Sequence, residues 1–293
     1  MNHTSNSYTL SPSASRHLND RVQLASGTGM PPLGLGVFQV DDGQELVDAI
    51  KQAIKLGYRS IDTASIYGNE AGVGRAIREA LTENALRRED LFVTSKVWNA
   101  DLGYQETLAA YEKSLERLGL DELDLYLIHW PVEGKYVEAW KALEELYKTG
   151  RVKAIGVSNF HVHHLEHLMS QAEIAPMVNQ IEFHPRLTQP ELREFAQQHG
   201  ILLEAWSPLM QGGLFEEPLL LELAAAYKRT PAQIILRWDL QHGVVTIPKS
   251  IHAERIAANA DVFDFELSAA DMKRIDALNQ NRRVGPDPDN FDF

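Results

Sequence analysis

The sequence predicts an α/β fold: a (β/α)8 TIM barrel with an N-terminal β-hairpin and extra C-terminal helices. Three observations predict it. Short β-branched or apolar runs begin near Leu35, Arg59, Phe92, Leu123, Ala154, Val178, Leu202 and Val244, which makes eight strands. Segments of helical period lie between them, so the repeat is a βα unit of roughly 30 residues. The competing doubly wound sheet carries G-x-G-x-x-G after its first strand. Here Gly34-Leu35-Gly36-Val37 is not that pattern, and Gly72-Val73-Gly74 lies inside a helical stretch.

In chain order, residues 1–20 are rich in Ser, Asn and His and are expected to form a disordered tail. Residues 21–293 are expected to form a single domain, since no linker or break in composition interrupts them. Residues 22–33 read as a strand, a Gly27-Thr28-Gly29 turn and a second strand, a hairpin suited to plugging the barrel floor. Apolar residues at i, i+3 and i+4 mark helices over 45–56, 70–81, 104–118, 137–147 and 189–199. Gly57, Gly119, Gly150 and Gly200 follow helices as left-handed caps, and Pro190 and Pro231 sit where a first turn tolerates them. Two helices, over 218–228 and 231–241, fit where one is expected. Ser268-Ala269-Ala270-Asp271 matches a capping box opening a last helix over 268–278. The Pro- and Asp-rich tail, residues 282–293, is expected on the surface.

Composition narrows the partners. A chain of 293 residues with 44% hydrophobic content is ample for one packed core. Its net charge of −13 argues against nucleic acid or an anionic membrane as the main partner. No apolar stretch approaches the roughly 20 residues that span a bilayer, and the N-terminal segment lacks the apolar region of a secretory signal. The absence of cysteine excludes disulfides and thiolate metal sites and suits a reducing compartment, so the expected location is cytoplasmic.

Four polar residues mark the chemistry. Asp62, Lys96 and His129 close consecutive strand candidates, and Tyr67 follows in the loop after the second. In a barrel, the rim where strands end is the functional face. A phenol with a pKa near 10 is a reluctant acid, and a neighbouring ammonium is expected to lower that pKa. A carboxylate paired to the ammonium holds it in place, while an imidazole can orient a substrate oxygen. Together they describe a general acid for an oxygen that gains negative charge. Taken singly, each residue has a plainer structural reading; their placement on one rim is what argues for function.

The same residues lie in segments that resemble the aldo-keto reductase family. Leu56-Gly57-Tyr58-Arg59-Ser60-Ile61-Asp62-Thr63-Ala64 with Ile66-Tyr67-Gly68-Asn69-Glu70 is similar to its first signature. Leu125-Tyr126-Leu127-Ile128-His129-Trp130-Pro131, Gly156-Val157-Ser158-Asn159-Phe160, Asn179-Gln180-Ile181-Glu182-Phe183-His184-Pro185 and Ile247-Pro248-Lys249-Ser250 resemble later ones. The resemblance runs from about residue 22 to the end, and the Gly285-Pro286-Asp287-Pro288 tail is similar to the prokaryotic branch that includes 2,5-diketo-D-gluconate reductases.

The resemblance implies a monomer that reduces a small-molecule carbonyl with NADPH. Tyr67 is then the general acid, Lys96 and Asp62 tune it, and His129 orients the carbonyl. The implied cofactor residues suit their task. Ser158, Asn159 and Gln180 offer partners for a carboxamide. Trp206 offers a face for the nicotinamide ring, and Ser207 and Leu209 start a loop over the pyrophosphate. Lys249, Ser250 and Arg255, with Asn259 beyond them, gather near a helix N-terminus, a setting for the 2′-phosphate of NADPH. His252, Ala253 and Ala258 depart from the usual family residues, which leaves NADH possible at lower preference. Phe38, Trp98 and Trp130, with His129, are expected to line an apolar substrate pocket. The surrounding loops are short or polar, which suggests an open site for small aldehydes, α-dicarbonyls and keto sugars. Two other readings compete. One is a non-catalytic NADPH-binding regulatory subunit, against which the intact tetrad argues. The other is a metal-dependent hydrolase using His161, His163, His164 and His167. His163 and His167 have helical i, i+4 spacing, but they sit in the fifth helix, away from the rim, where a solvated helix face is the simpler account and no metal is expected.

Overall fold

A computed structural model of the chain describes residues 8–9 and 11–293. A small sheet comes first, made of β1 (Tyr8–Thr9), β2 (Arg21–Gln23) and β3 (Gly29–Met30), with β2 and β3 antiparallel. This is the expected hairpin. Arg21 donates to the carbonyl of Asp90 and Thr28 to that of Lys153, both at the starts of barrel strands, so the hairpin closes the barrel floor.

Eight further strands lie side by side in chain order: β4 (Leu35–Gly36), β5 (Ser60–Asp62), β6 (Phe92–Val97), β7 (Leu123–Ile128), β8 (Val152–Ser158), β9 (Val178–Glu182), β10 (Leu202–Trp206) and β11 (Val244–Thr246). All neighbours run parallel, and parallel bridges from Leu33 to Thr246 and from Gly36 to Lys249 join the last strand to the first. Every residue of β6 and β7 is buried, as strands covered on both faces must be, so even their polar residues, Lys96 among them, lie inside the barrel wall.

The outer layer is α1 (Gln44–Lys55), α2 (Glu70–Glu83), α3 (Tyr104–Leu118), α4 (Tyr136–Lys148), α5 (Val162–Met169), α6 (Pro190–His199), α7 (Pro218–Tyr227), α8 (Pro231–Gln241), α9 (Ala253–Ala260) and α10 (Ala269–Asp276). Helix α1 shows the logic: Leu46, Val47, Ile50, Ala53 and Ile54 form its buried stripe, with Glu45 in the first turn and Lys55 in the last, each favourable to the helix dipole. Gly74 lies where α2 meets the end of α3. A Cβ there would come within 1.9 Å of the Leu118 carbonyl oxygen, so the Gly72-Val73-Gly74 run serves helix packing. The additional helices α7 and α10 pack together, tied by Tyr227 donating to Asp271 at 2.8 Å.

The expected disordered tail needs correction where it is described; residues 1–7 and 10 lie outside the described residues. Tyr8 and Thr9 pair in parallel with Arg21 and Val22. Pro12, Ser15 and Asp20 are buried, and Asp20 Oδ2 accepts from the amides of Arg16 at 2.7 Å and His17 at 3.1 Å. Side chain-to-backbone bonds of this kind order a polar segment that hydropathy reads as loose.

Candidate active site

The rim gathers the tetrad as the sequence implies. Asp62 ends β5, Lys96 lies near the end of β6, and His129 follows β7 directly. Tyr67 ends a short 3-10 turn that Gly68 closes in left-handed backbone. The Lys96 ammonium is fully buried and directs its three donors to Asp62 Oδ1 at 2.7 Å, the Thr63 carbonyl at 3.0 Å and Tyr67 Oη at 3.2 Å. Its orientation is therefore fixed. Burial disfavours the ammonium, but Asp62 and Tyr67 together outweigh it, so the Lys96 pKa is raised and the charge retained.

Tyr67 departs from expectation. Lys96 does pull its acidity in the expected direction, yet burial of the hydroxyl is the larger effect, and the net pKa lies above that of a free phenol. Resting Tyr67 thus keeps its proton, and the ammonium acts on the phenolate only as it forms. Burial, then the Lys96 charge, push the His129 pKa well down, so its imidazole is neutral. Its Nδ1 is buried with no partner among the described residues. A bare lone pair there costs less than an orphaned N–H, so the proton belongs on Nε2 as a donor toward the cleft.

The substrate side is a run of touching rings. Phe38 lies 4.9 Å from Tyr67, and Trp98 lies 5.2 Å from His129. The tail then adds two rings absent from the expected lining. Phe293 stacks on Trp98 at 5.7 Å and meets Trp130 edge-on at 5.2 Å, while Phe291 lies 5.1 Å from Trp130. The expected open mouth is therefore covered on this side. Three anchors hold the tail there, the first being Asn99 Nδ2, which donates to the Phe293 carbonyl at 3.1 Å. Buried Glu182 accepts from the amides of Val284 at 2.5 Å and Gly285 at 3.2 Å. Asp289 faces His161 Nδ1 and His163 Nε2, each at 3.0 Å, and His164 Nε2 at 3.4 Å.

That histidine cluster is better explained as a hydrogen-bonded clamp than as a metal centre. Arg283 donates to His161 Nε2 at 2.9 Å, and the His161 amide donates to His164 Nδ1 at 3.1 Å. Each contact occupies one ring nitrogen's lone pair and leaves the proton on the nitrogen facing Asp289, where a cation would need a lone pair. Burial, then His163, push the His164 pKa down to about 4, keeping it neutral. His167 points elsewhere, to the Tyr136 hydroxyl at 2.6 Å and Gln171 at 2.9 Å.

The cofactor-side residues fall into two groups. At the rim, the Asn159 amide donates to the His129 carbonyl at 3.0 Å and to Ser158 Oγ at 3.1 Å, while its Oδ1 accepts from Trp206 Nε1 at 2.9 Å. These bonds fix the Trp206 ring, against whose edge the tail passes: a Cβ at Gly285 would come within 2.4 Å of it. Beyond it, Ser207, Met210 and Gln211 hold left-handed backbone at φ 49, 48 and 54°, around Leu209. Each costs about 1–3 kcal/mol, strain of the kind found at ligand-clamping loops. Around the start of α9, Ser250 Oγ accepts from the His252 amide at 3.1 Å. Lys249 and Arg255 are exposed and have no ion pair among the described residues, and Asn259 is buried on the same helix. Two uncommitted cations beside a hydroxyl and a helix N-terminus fit a phosphate monoester.

One buried group escaped the sequence reading. Gln180 Nε2 donates to Asp62 Oδ2 at 2.7 Å and also to Glu204 Oε2 at 2.7 Å. Glu204 is fully buried, and its pKa is pushed up to about 8 by burial, then by the Asp62 charge. An acid inside the apolar run of β10 was the available signal.

Comparison with known proteins agrees with this fold. The chain is similar to YtbE of Bacillus subtilis, an uncharacterized oxidoreductase, at 69% identity across 94% of this chain and 99% of the relative. It is similar to the glyoxal reductase of the same organism at 62% identity, across 94% and 99%. Among solved structures, a variant of Gox0644 in complex with NADPH superposes with a TM-score of 0.88 at 45% identity, covering 93% of this chain and 98% of that one. The aldo/keto reductase family model matches residues 32–280, and with these identities the chain belongs to the aldo/keto reductase family.

Proposed function

We propose that the protein reduces small aldehydes, α-dicarbonyl compounds and keto sugars such as 2,5-diketo-D-gluconate to alcohols with NADPH, using Tyr67 as the general acid. The observation that carries this reading is the Lys96 ammonium, locked between Asp62 and the Tyr67 hydroxyl. Burial keeps the Tyr67 proton in place until an oxygen beside it gains charge, and Lys96 then stabilises the phenolate that remains. His129, neutral and donating from Nε2, orients the carbonyl oxygen.

The chemistry that NADPH supplies when bound is the hydride. Lys249, Ser250 and Arg255 would hold its 2′-phosphate, with Asn259 toward the adenine end; Ser158, Asn159 and Gln180 would hold the carboxamide, Trp206 the ring face, and Ser207 and Leu209 the pyrophosphate. NADH, without the 2′-phosphate, would bind less well. The similar glyoxal reductase carries an α-dicarbonyl substrate in its name. The aromatic wall formed by Phe38, Trp98, Trp130 and the tail rings supports a small substrate of this kind. Following NADPH loss with methylglyoxal, 2,5-diketo-D-gluconate and aromatic aldehydes tests the proposal. Turnover of the dicarbonyls is expected; no NADPH consumption with any of them would overturn it.

A further inference from the structure

Glu204 sits beside Gln180 in register across β9 and β10, and no role of the tetrad requires it. Its position is costly. Asp62 and Glu204 are two buried carboxyl groups served by one buried cation, Lys96, which contacts Asp62. A second carboxylate would be uncompensated, so Glu204 is held neutral. Its Oε1 is buried with no partner among the described residues. A leucine of similar volume would avoid both costs.

What the carboxyl does achieve is visible on Gln180. The amide nitrogen has two N–H groups, one spent on Asp62 Oδ2 and the other on Glu204 Oε2, each at 2.7 Å. Among the described residues both side-chain bonds of Gln180 run from Nε2, and Oε1 makes none. Turning the amide over would set its oxygen against the Asp62 carboxylate and give up both Nε2 bonds, in return for at most one bond from the protonated Glu204. The oxygen therefore stays free as an acceptor.

We propose that Glu204 is a positioning residue: with Asp62 it locks the Gln180 amide nitrogen inward, so that Gln180 presents only its oxygen to the carboxamide N–H of the nicotinamide. The inference rests on the reading of Gln180 as a cofactor contact. It assigns Glu204 to cofactor binding at the nicotinamide end and leaves the 2′-phosphate end independent of it.

The experiment compares wild type, Glu204→Leu and Glu204→Gln, all full-length. Each is titrated with NADPH by its fluorescence and with adenosine 2′,5′-bisphosphate, a fragment that lacks the nicotinamide, by calorimetry. Leu removes the acceptor, whereas Gln restores a neutral one. Loss of one hydrogen-bonded partner predicts NADPH binding about tenfold weaker in Glu204→Leu. Binding of the fragment is expected to be unchanged, and Glu204→Gln to restore NADPH affinity to within about threefold of wild type. NADPH affinity unchanged in Glu204→Leu would overturn the inference alone. Equal weakening of NADPH and the fragment would also overturn it, because the residue would then be merely structural. If wild type bound the fragment but not NADPH, the reading of Gln180 would fall with it.

Discussion

Replacing Glu204 with Gln should change how stability depends on pH, and the structure sets the size of the change. The carboxyl ionises near pH 8 in the fold, against an ordinary value of 4.5. Between those two values the unfolded chain has released a proton that the folded chain still binds. Stability must then fall as pH rises through this window, since the native state is the one holding more protons. Below the window both states are protonated, and above it both are ionised, so the penalty is flat on either side. At about 1.4 kcal/mol per pH unit, the loss across the window approaches about 5 kcal/mol. Glu204→Gln does not titrate. Every other group is common to the two proteins, so the difference in their stabilities isolates this one carboxyl. Urea unfolding of both at about pH 5 and about pH 8 is the assay. The variant should gain on wild type by several kcal/mol between the two conditions. A stability difference that does not vary with pH would refute the claim that Glu204 is buried and neutral.

Other outcomes follow from the same geometry. Lys96→Met leaves Asp62 buried without its cation, so stability should fall by about 3–5 kcal/mol in chemical unfolding, together with a collapse of turnover. Lys249→Ala combined with Arg255→Ala should weaken NADPH binding by about tenfold or more while leaving NADH nearly unaffected, as read by the two KM values. Phe293→Ala opens the stack on Trp98, so the ratio of kcat/KM for a bulky aromatic aldehyde over methylglyoxal should rise. Asp289→Asn removes the charge that three imidazoles face, and amide exchange over residues 284–293 should quicken.

Much of this is legible in the sequence. The eight strands are short, apolar and buried on both faces, so their positions stand out, and a barrel places Asp62, Lys96 and His129 on one rim by topology alone. What escaped depends on distance across the chain. Phe291 and Phe293 lie in a Pro- and Asp-rich stretch whose composition signals surface; the grip of Glu182, Asp289 and Asn99, all distant in sequence or late in the tail, carries them onto Trp98 and Trp130. The acidity of Tyr67 is not legible in the sequence for a related reason. Chemical types show that an ammonium is near a phenol, but only the packed site shows that burial outweighs it. Glu204 was visible as a letter in β10, yet its meaning came from Gln180 and Asp62 on two other strands.

The central claim is that Tyr67 donates the proton. Its most direct test is Tyr67→Phe, which keeps the ring contacts to Phe38 and His129 and deletes only the hydroxyl that Lys96 holds. NADPH affinity and the single-turnover rate with methylglyoxal should be measured on the same preparation. The account predicts binding within about twofold of wild type and a turnover rate lower by about a thousandfold. A rate within about tenfold of wild type would contradict it.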